Sequence, residues 1–255
     1  LTIEADLIEE VVRMIGYQNL PLGAPLAPTR ARVASETHTG RFALRRQMAA
    51  LGYQETINFS FIDEEAERTL SGNSQPVRLL NPIAAQMNVM RSSLLPSLLE
   101  VLKRNIGRKA PLVRVFEWGR VFHRDSSVKA DLAHVQGIQQ PMKLAALAWG
   151  APQALQWGVA SKAADFYDVK GDIEALFSQY FGVKPATAAI TFAAFSSDAG
   201  HPALHPGRSA QIFKDGKAIG WLGELHPKWA QEQDIKPAPI VFEIDAAALQ
   251  SRDLP

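Results

Sequence analysis

The chain has 255 residues, 47% of them hydrophobic, with 27 Lys plus Arg against 26 Asp plus Glu and no cysteine. A net charge of only +1 argues against broad electrostatic capture of nucleic acid. The missing cysteine excludes disulfides, thiolate chemistry and Cys-based zinc sites, and fits a reducing cytosol. No apolar run approaches a membrane span and no signal-peptide pattern opens the chain. Leu1 leads at once into helix-like material, so a segment of a longer protein is expected.

Residues 4–15, EADLIEEVVRMI, predict an acidic-first helix with Leu7, Ile8, Val11, Val12 and Ile15 as its apolar stripe and Gly16 as its stop. The run LPLGAPLAPT that follows holds three prolines in ten residues and reads as a stiff linker. Residues 1–20 are therefore expected to end a small domain and 21–36 to link it onward. The main domain is expected over 37–250, with 251–255 beginning another linker.

Thr37 or Thr39 is the expected cap of a second helix, which carries Phe42, Leu44, Met48 and Leu51 and stops at Gly52. Tyr53 to Phe61 reads as a strand, and Asp63 as the cap of the short helix EEAERTL. Leu79 to Asp125 is the organising stretch. It opens on an Asn81-Pro82 turn and enters a helix with Leu94, Leu95, Leu98, Leu99, Leu102 and Ile106 on one face. Glu100, Lys103, Arg104 and Arg108 take the opposite face. Pro111 blocks that helix and starts an extended run through Phe122.

His134–Ile138 and Lys143–Trp149 predict two further strands, and Asp168–Phe181 a helix with Ile173, Leu176, Phe177 and Tyr180 inward. Ala210–Leu222 reads as a hairpin turning on Asp215-Gly216. A short helix from Pro227 to Gln233 and a strand over Val241–Ile244 complete an α+β fold: a mostly antiparallel sheet flanked by helices, with a helical appendage in front.

Asp6, Glu9 and Glu10 stand at i, i+3 and i+4, so all three project from one side of the first helix. The spacing admits two readings: acids favouring a helix N-terminus, or ligands for a hard cation. His201 and His205 each precede a proline, which argues against a helix presenting them to a metal. Arg104, Arg108 and Lys109 form a small basic cluster without interleaved aromatics, the pattern of a solvated face rather than a base-stacking platform.

Five stretches together resemble the beta subunits of bacterial phenylalanyl-tRNA synthetases. They are ADLIEEVVRMIGYQNLP, RFALRRQMAALGYQETINFSF, the NPI…MRSSLLPSLL…FEWGRVF series, HPGRSA at His205–Ala210, and GWLGELHPKWAQEQDIKPAPIVFEIDAAAL. The resemblance implies a class II aminoacyl-tRNA synthetase-like core. It also implies that Asp6, Glu9 and Glu10 hold magnesium shared with the alpha subunit. The family's first ligand, an Asp, falls just before Leu1, so the site is expected to be incomplete here. RFALRR through NFSF resembles the class II dimerisation motif, whose helix packs between subunits.

In the second class II motif an aromatic residue is followed by an Arg that clamps the ATP α-phosphate. Here Phe122 is followed by His123, and Arg124, one place on, points to the other face of a strand. In the third motif, glycines and a phosphate-binding Arg give way to Glu243, Asp245 and Ala248. The resemblance therefore implies no active site in this stretch. Adenylate formation and transfer of phenylalanine to tRNA(Phe) fall to the alpha subunit, in a cytoplasmic heterotetramer of two alpha and two beta chains. A free-standing adenylate-forming ligase would need other phosphate-binding residues, and the near-neutral charge disfavours a separate tRNA-binding module.

Overall fold

Apolar side chains fall on both faces of Met142–Gly150 and Ile240–Asp245, and that pattern sets the architecture. Leu144, Ala146 and Ala148 alternate with Ala145 and Leu147, and Ile240, Phe242 and Ile244 alternate with Val241; all are buried. A strand buried on both faces belongs in the middle of a sheet with helices on either side. The computed structural model describes residues 3–24, 26–29, 31, 38–132, 134–158, 162–178, 190–196 and 200–251. The chain divides into two compact units, Leu1–Ser35 and Glu36–Pro255.

The first unit contains α1 (Glu4–Ile15) and a single 3-10 turn at Tyr17–Asn19. Gly16 separates them with φ of 96°, a conformation L side chains rarely adopt. No residue of α1 is buried. The described residues among 20–31 carry no helix or strand.

In the second unit, the described residues form a seven-stranded sheet in the order β1-β5-β8-β12-β11-β10-β9. These strands are β1 (Gln54–Glu55), β5 (Leu112–Arg120), β8 (Met142–Gly150), β9 (Ile190–Ala193), β10 (Leu204–Lys214), β11 (Lys217–Leu225) and β12 (Ile240–Asp245). Only β1 and β5 pair in parallel; the other neighbours are antiparallel. A small sheet of β2 (Phe61–Ile62), β3 (Val77–Arg78) and β4 (Val89–Met90) stands apart, as does the pair β6 (His123–Arg124) and β7 (Ile138–Gln139).

One sheet face is covered by α2 (Arg41–Ala50), α5 (Phe166–Ser178) and α7 (Ala246–Gln250), through Leu44, Met48, Ile173, Leu176 and Leu249. The other is covered by α3 (Glu64–Leu70), α4 (Leu95–Gly107) and α6 (Pro227–Glu232). On α4, Leu94, Leu95, Leu98, Leu99 and Leu102 lie in the core and Ile106 is half-buried, while Glu100, Arg104 and Arg108 face out and Lys103 is partly covered. The hairpin turns at Asp215 and Gly216, both with positive φ (51° and 75°), as a tight two-residue turn requires. Its strands are longer than expected, and Asp63 Oδ1 caps α3 by accepting from the Glu65 and Ala66 N–H groups at 2.9 and 3.2 Å.

Four expectations need correction or fall elsewhere. Tyr53–Phe61 is not one strand: only Gln54 and Glu55 pair with β5, because Phe59 and Ser60 carbonyls turn aside to accept from Arg91. His134–Ile138 is mostly turn, since Asp131 Oδ1 accepts the His134 N–H at 2.7 Å and Gly137 takes φ of 72°. Thr39 does not cap α2; its N–H donates to Gln250 at 2.8 Å, and Gly40 precedes the helix without a side-chain cap. Thr37, Tyr180 and Phe181 lie outside the described residues.

Candidate functional site

The two sets of residues singled out by sequence meet different surroundings. On α1, Asp6 Oδ2 accepts from the Ile3 N–H at 3.4 Å. Glu10 accepts from Arg13 at 2.5 Å in an exposed ion pair, and Glu9 is exposed. Among the described residues no group of three His, Asp or Glu comes together to hold a metal ion.

Of the four positions His123, Glu243, Asp245 and Ala248, only Glu243 sits at the N-terminus of α4; the other three line a separate cleft. Register sets Glu117 on β5 and Glu243 on β12 either side of Ala145 on β8, in one row on the face that α4 covers. The first turn of a helix has unpaired N–H groups and a partial positive charge, which is why anions favour it. Here Glu243 Oε2 takes that place, accepting from the Leu94 N–H at 2.7 Å and the Ser93 hydroxyl at 2.8 Å. Ser93 Oγ in turn accepts from the Leu95 N–H at 3.1 Å. Burial pushes the Glu243 carboxyl above the ordinary carboxylate range, against the opposing pull of Lys143, the Leu94 N–H, Ser93 and Arg91. The chain thus fills its own anion-binding position with a carboxylate.

Arg91 lies beside it, 2% exposed, and donates to Glu117 Oε1 at 2.7 Å. Its other nitrogens donate to the carbonyls of Arg120 and Phe59 and to Ser97 Oγ at 3.1–3.3 Å. Asn58 Nδ2 completes Glu117 from the far side at 2.8 Å. A buried ion pair is tolerable only when its remaining lone pairs and protons are met in this way. Gly119 gives the guanidinium room: a Cβ there would meet Arg91 Nη2 at 2.5 Å.

His123, Lys143, Asp245 and Ala248 line an open cleft of about 1010 Å³; Glu243 does not. Burial, then the Lys143 charge, hold the His123 imidazole below its usual pKa. Lys143 pairs with Asp245. Lys214 donates to the Ala248 and Ser251 carbonyls at 3.2 and 3.0 Å, closing the C-terminal end of α7. Arg124 turns away from the cleft and donates to the Pro76 carbonyl at 3.1 Å. The cleft's Lys143 and Lys214 are thus already engaged by the protein.

Arg91 stands within MRSSLLPSLL, where the sequence alone assigns it no role. Its signal was a lone Arg at the entry of an apolar helix, with a Glu in a strand expected to be buried. Glu243 was placed correctly on the last strand, but its partner, the N-terminus of α4, lies 149 positions away in sequence.

The family model for the phenylalanyl tRNA synthetase beta chain CLM domain matches residues 20–246. The chain belongs to that family of synthetase beta-chain domains. Over its whole length it is 49% identical to the phenylalanine–tRNA ligase beta subunit of Burkholderia pseudomallei (strain 1710b), and 48% and 44% identical to those of Bordetella bronchiseptica and Cupriavidus pinatubonensis. The chain spans 30% of the length of each of these relatives.

Proposed function

We propose that this chain is a non-catalytic, class II-like core of a phenylalanine–tRNA ligase beta subunit. It supports an alpha subunit that makes Phe-tRNA from phenylalanine, ATP and tRNA(Phe), within a cytoplasmic heterotetramer. The observation that carries the reading is Glu243 on the α4 N-terminus: the anion-binding end of the helix facing the sheet is closed by the chain's own carboxylate. His123 in place of an arginine supports it, since a neutral imidazole lacks the fixed charge and fork of a guanidinium. The test is co-expression with the alpha subunit: the two should copurify, and the alpha subunit should supply all adenylate formation. Adenylate formation by this chain alone would reject the reading.

For Asp6, Glu9 and Glu10 we propose a magnesium site shared with the alpha subunit and completed by groups outside this chain's described residues. Three neighbouring carboxylates repel one another, and a divalent cation or a basic partner surface relieves that repulsion. Glu9→Gln combined with Glu10→Gln should then weaken subunit association in a sedimentation series over magnesium concentration. Coincident curves for wild type and double mutant would leave these residues as helix N-terminal acids only.

A further inference from the structure

The described residues of the second unit begin at His38 and end at Ser251, and these two meet in an antiparallel bridge. Beside them the Thr39 N–H donates to the Gln250 carbonyl at 2.8 Å, and Gln250 Nε2 donates back to the Thr39 carbonyl at 3.4 Å. Thr39 is buried, so water is poorly placed to replace those bonds. Lys214, at the end of β10, fastens the pair from the side of α7. An ammonium has three protons, and three acceptors stand within reach: the Ala248 and Ser251 carbonyls at 3.2 and 3.0 Å, and Ser251 Oγ at 2.9 Å. At the start of α7, Asp245 pairs with Lys143. A helix of five residues is too short to hold its own turns, so α7 depends on the groups that fasten it. Those groups include the buried Ala246 and Leu249 between its two lysine-held ends. Lys214, Ala248, Gln250 and Ser251 also form one wall of the 1010 Å³ cleft.

We propose that this clasp is a conformational coupling: the segment before His38, the segment after Ser251 and the α7 wall of the cleft loosen together, with Lys214 as the latch. Releasing Lys214 frees the last turn of α7 and Ser251. The Gln250 carbonyl moves with them, and the buried Thr39 N–H loses its acceptor. The path runs equally in reverse, because displacing the segment before His38 strips Gln250 and Ser251 of their backbone partners. Coupling between two ends of one element is reciprocal. The coupling is independent of the subunit reading above, since it involves only groups of this chain.

Amide hydrogen exchange of the whole chain, read residue by residue by NMR, tests it. Lys214→Met keeps the aliphatic stem and removes the donors. It should speed exchange at the Ser251 and Thr39 N–H groups together, by at least about tenfold, while β8 and β12 stay as protected as in the unsubstituted chain. Lys214→Arg, which keeps a cation with several donors, should leave both amides protected. Lys217→Met, on the same hairpin and the same cleft, should leave them protected too. Faster exchange at Ser251 with Thr39 unchanged would make Lys214 a local helix-end contact and overturn the coupling. Full protection at both amides in Lys214→Met would overturn the latch. Loss of protection throughout β8 and β12 would overturn it as well, by making Lys214 a support of the whole core. None of these results bears on the subunit reading, which stands or falls on copurification.

Discussion

Leu7, Ile8, Val11 and Ile15 on α1 repeat at the same helical spacing as Leu94, Leu98 and Leu102 on α4, yet their surroundings are opposite. The α1 side chains are 55–59% exposed, whereas those three leucines are fully buried. The carboxylates divide in the same way. Glu9 and Glu10 are exposed, while Glu117 and Glu243 are buried and met by donors from the chain itself. A periodic pattern identifies a face and the chemistry it carries. What completes that face depends on residues distant in sequence, or on another molecule.

Removing the buried cation is the most severe way to probe that contrast. Arg91→Ala would leave Glu117 buried and unpaired, and should destabilise the chain by about 3–5 kcal/mol in urea unfolding. Replacing Arg91 and Glu117 together by Met and Leu should recover much of the loss, because an apolar pair of similar volume avoids the stranded charge. If the double substitution is as costly as Arg91→Ala, the pair is not the closed unit described here.

Cavity formation gives the next largest effect. Leu98→Ala should cost about 2–5 kcal/mol. Leu7→Ala on α1 and Glu100→Ala on the outer side of α4 should each stay within about 0.5 kcal/mol in this chain. Equal shifts in the melting temperatures of Leu98→Ala and Leu7→Ala would erase the distinction between the two helices.

A milder probe is pH. His201 packs against Trp221 with ring centroids 4.4 Å apart, and burial lowers its pKa to about 4 from the usual 6.5. Between those two values the unfolded chain binds more protons than the folded one, so this contribution is full above about pH 6.5 and is lost as pH falls toward 4. His201→Asn keeps an acceptor near the Ala203 N–H, which His201 Nδ1 meets at 3.2 Å. That variant should flatten the dependence of the urea midpoint on pH over this range. An unchanged slope would place the sensitive group elsewhere. Glu243, whose folded pKa is raised, contributes with the opposite sign: its stability is greatest at low pH and weakens as pH rises through that pKa.

Much of the fold could be read from local signals. The α4 stripe, the Asp63 cap and the Asp215-Gly216 turn each depend on residues within a few positions of one another, and the structure contains all three. The losses came where a distant group redirects the backbone. Arg91 draws the Phe59 and Ser60 carbonyls away from a strand that composition alone would continue to Phe61. Asp131 and Gly137 make a turn of a segment that reads as a strand in sequence. At the site, the residue types at His123, Glu243, Asp245 and Ala248 can be read from the sequence. The use of Glu243 as the cap of α4 cannot, because it requires the sheet to place β12 beneath that helix.

The anion-binding N-terminus of α4 is closed by the chain's own Glu243, which leaves that helix end unavailable to a triphosphate. Calorimetric titration of this chain with ATP and magnesium tests it most directly. No saturable heat is expected. A dissociation constant below about 1 mM, equivalent to roughly 4 kcal/mol of binding, would contradict it.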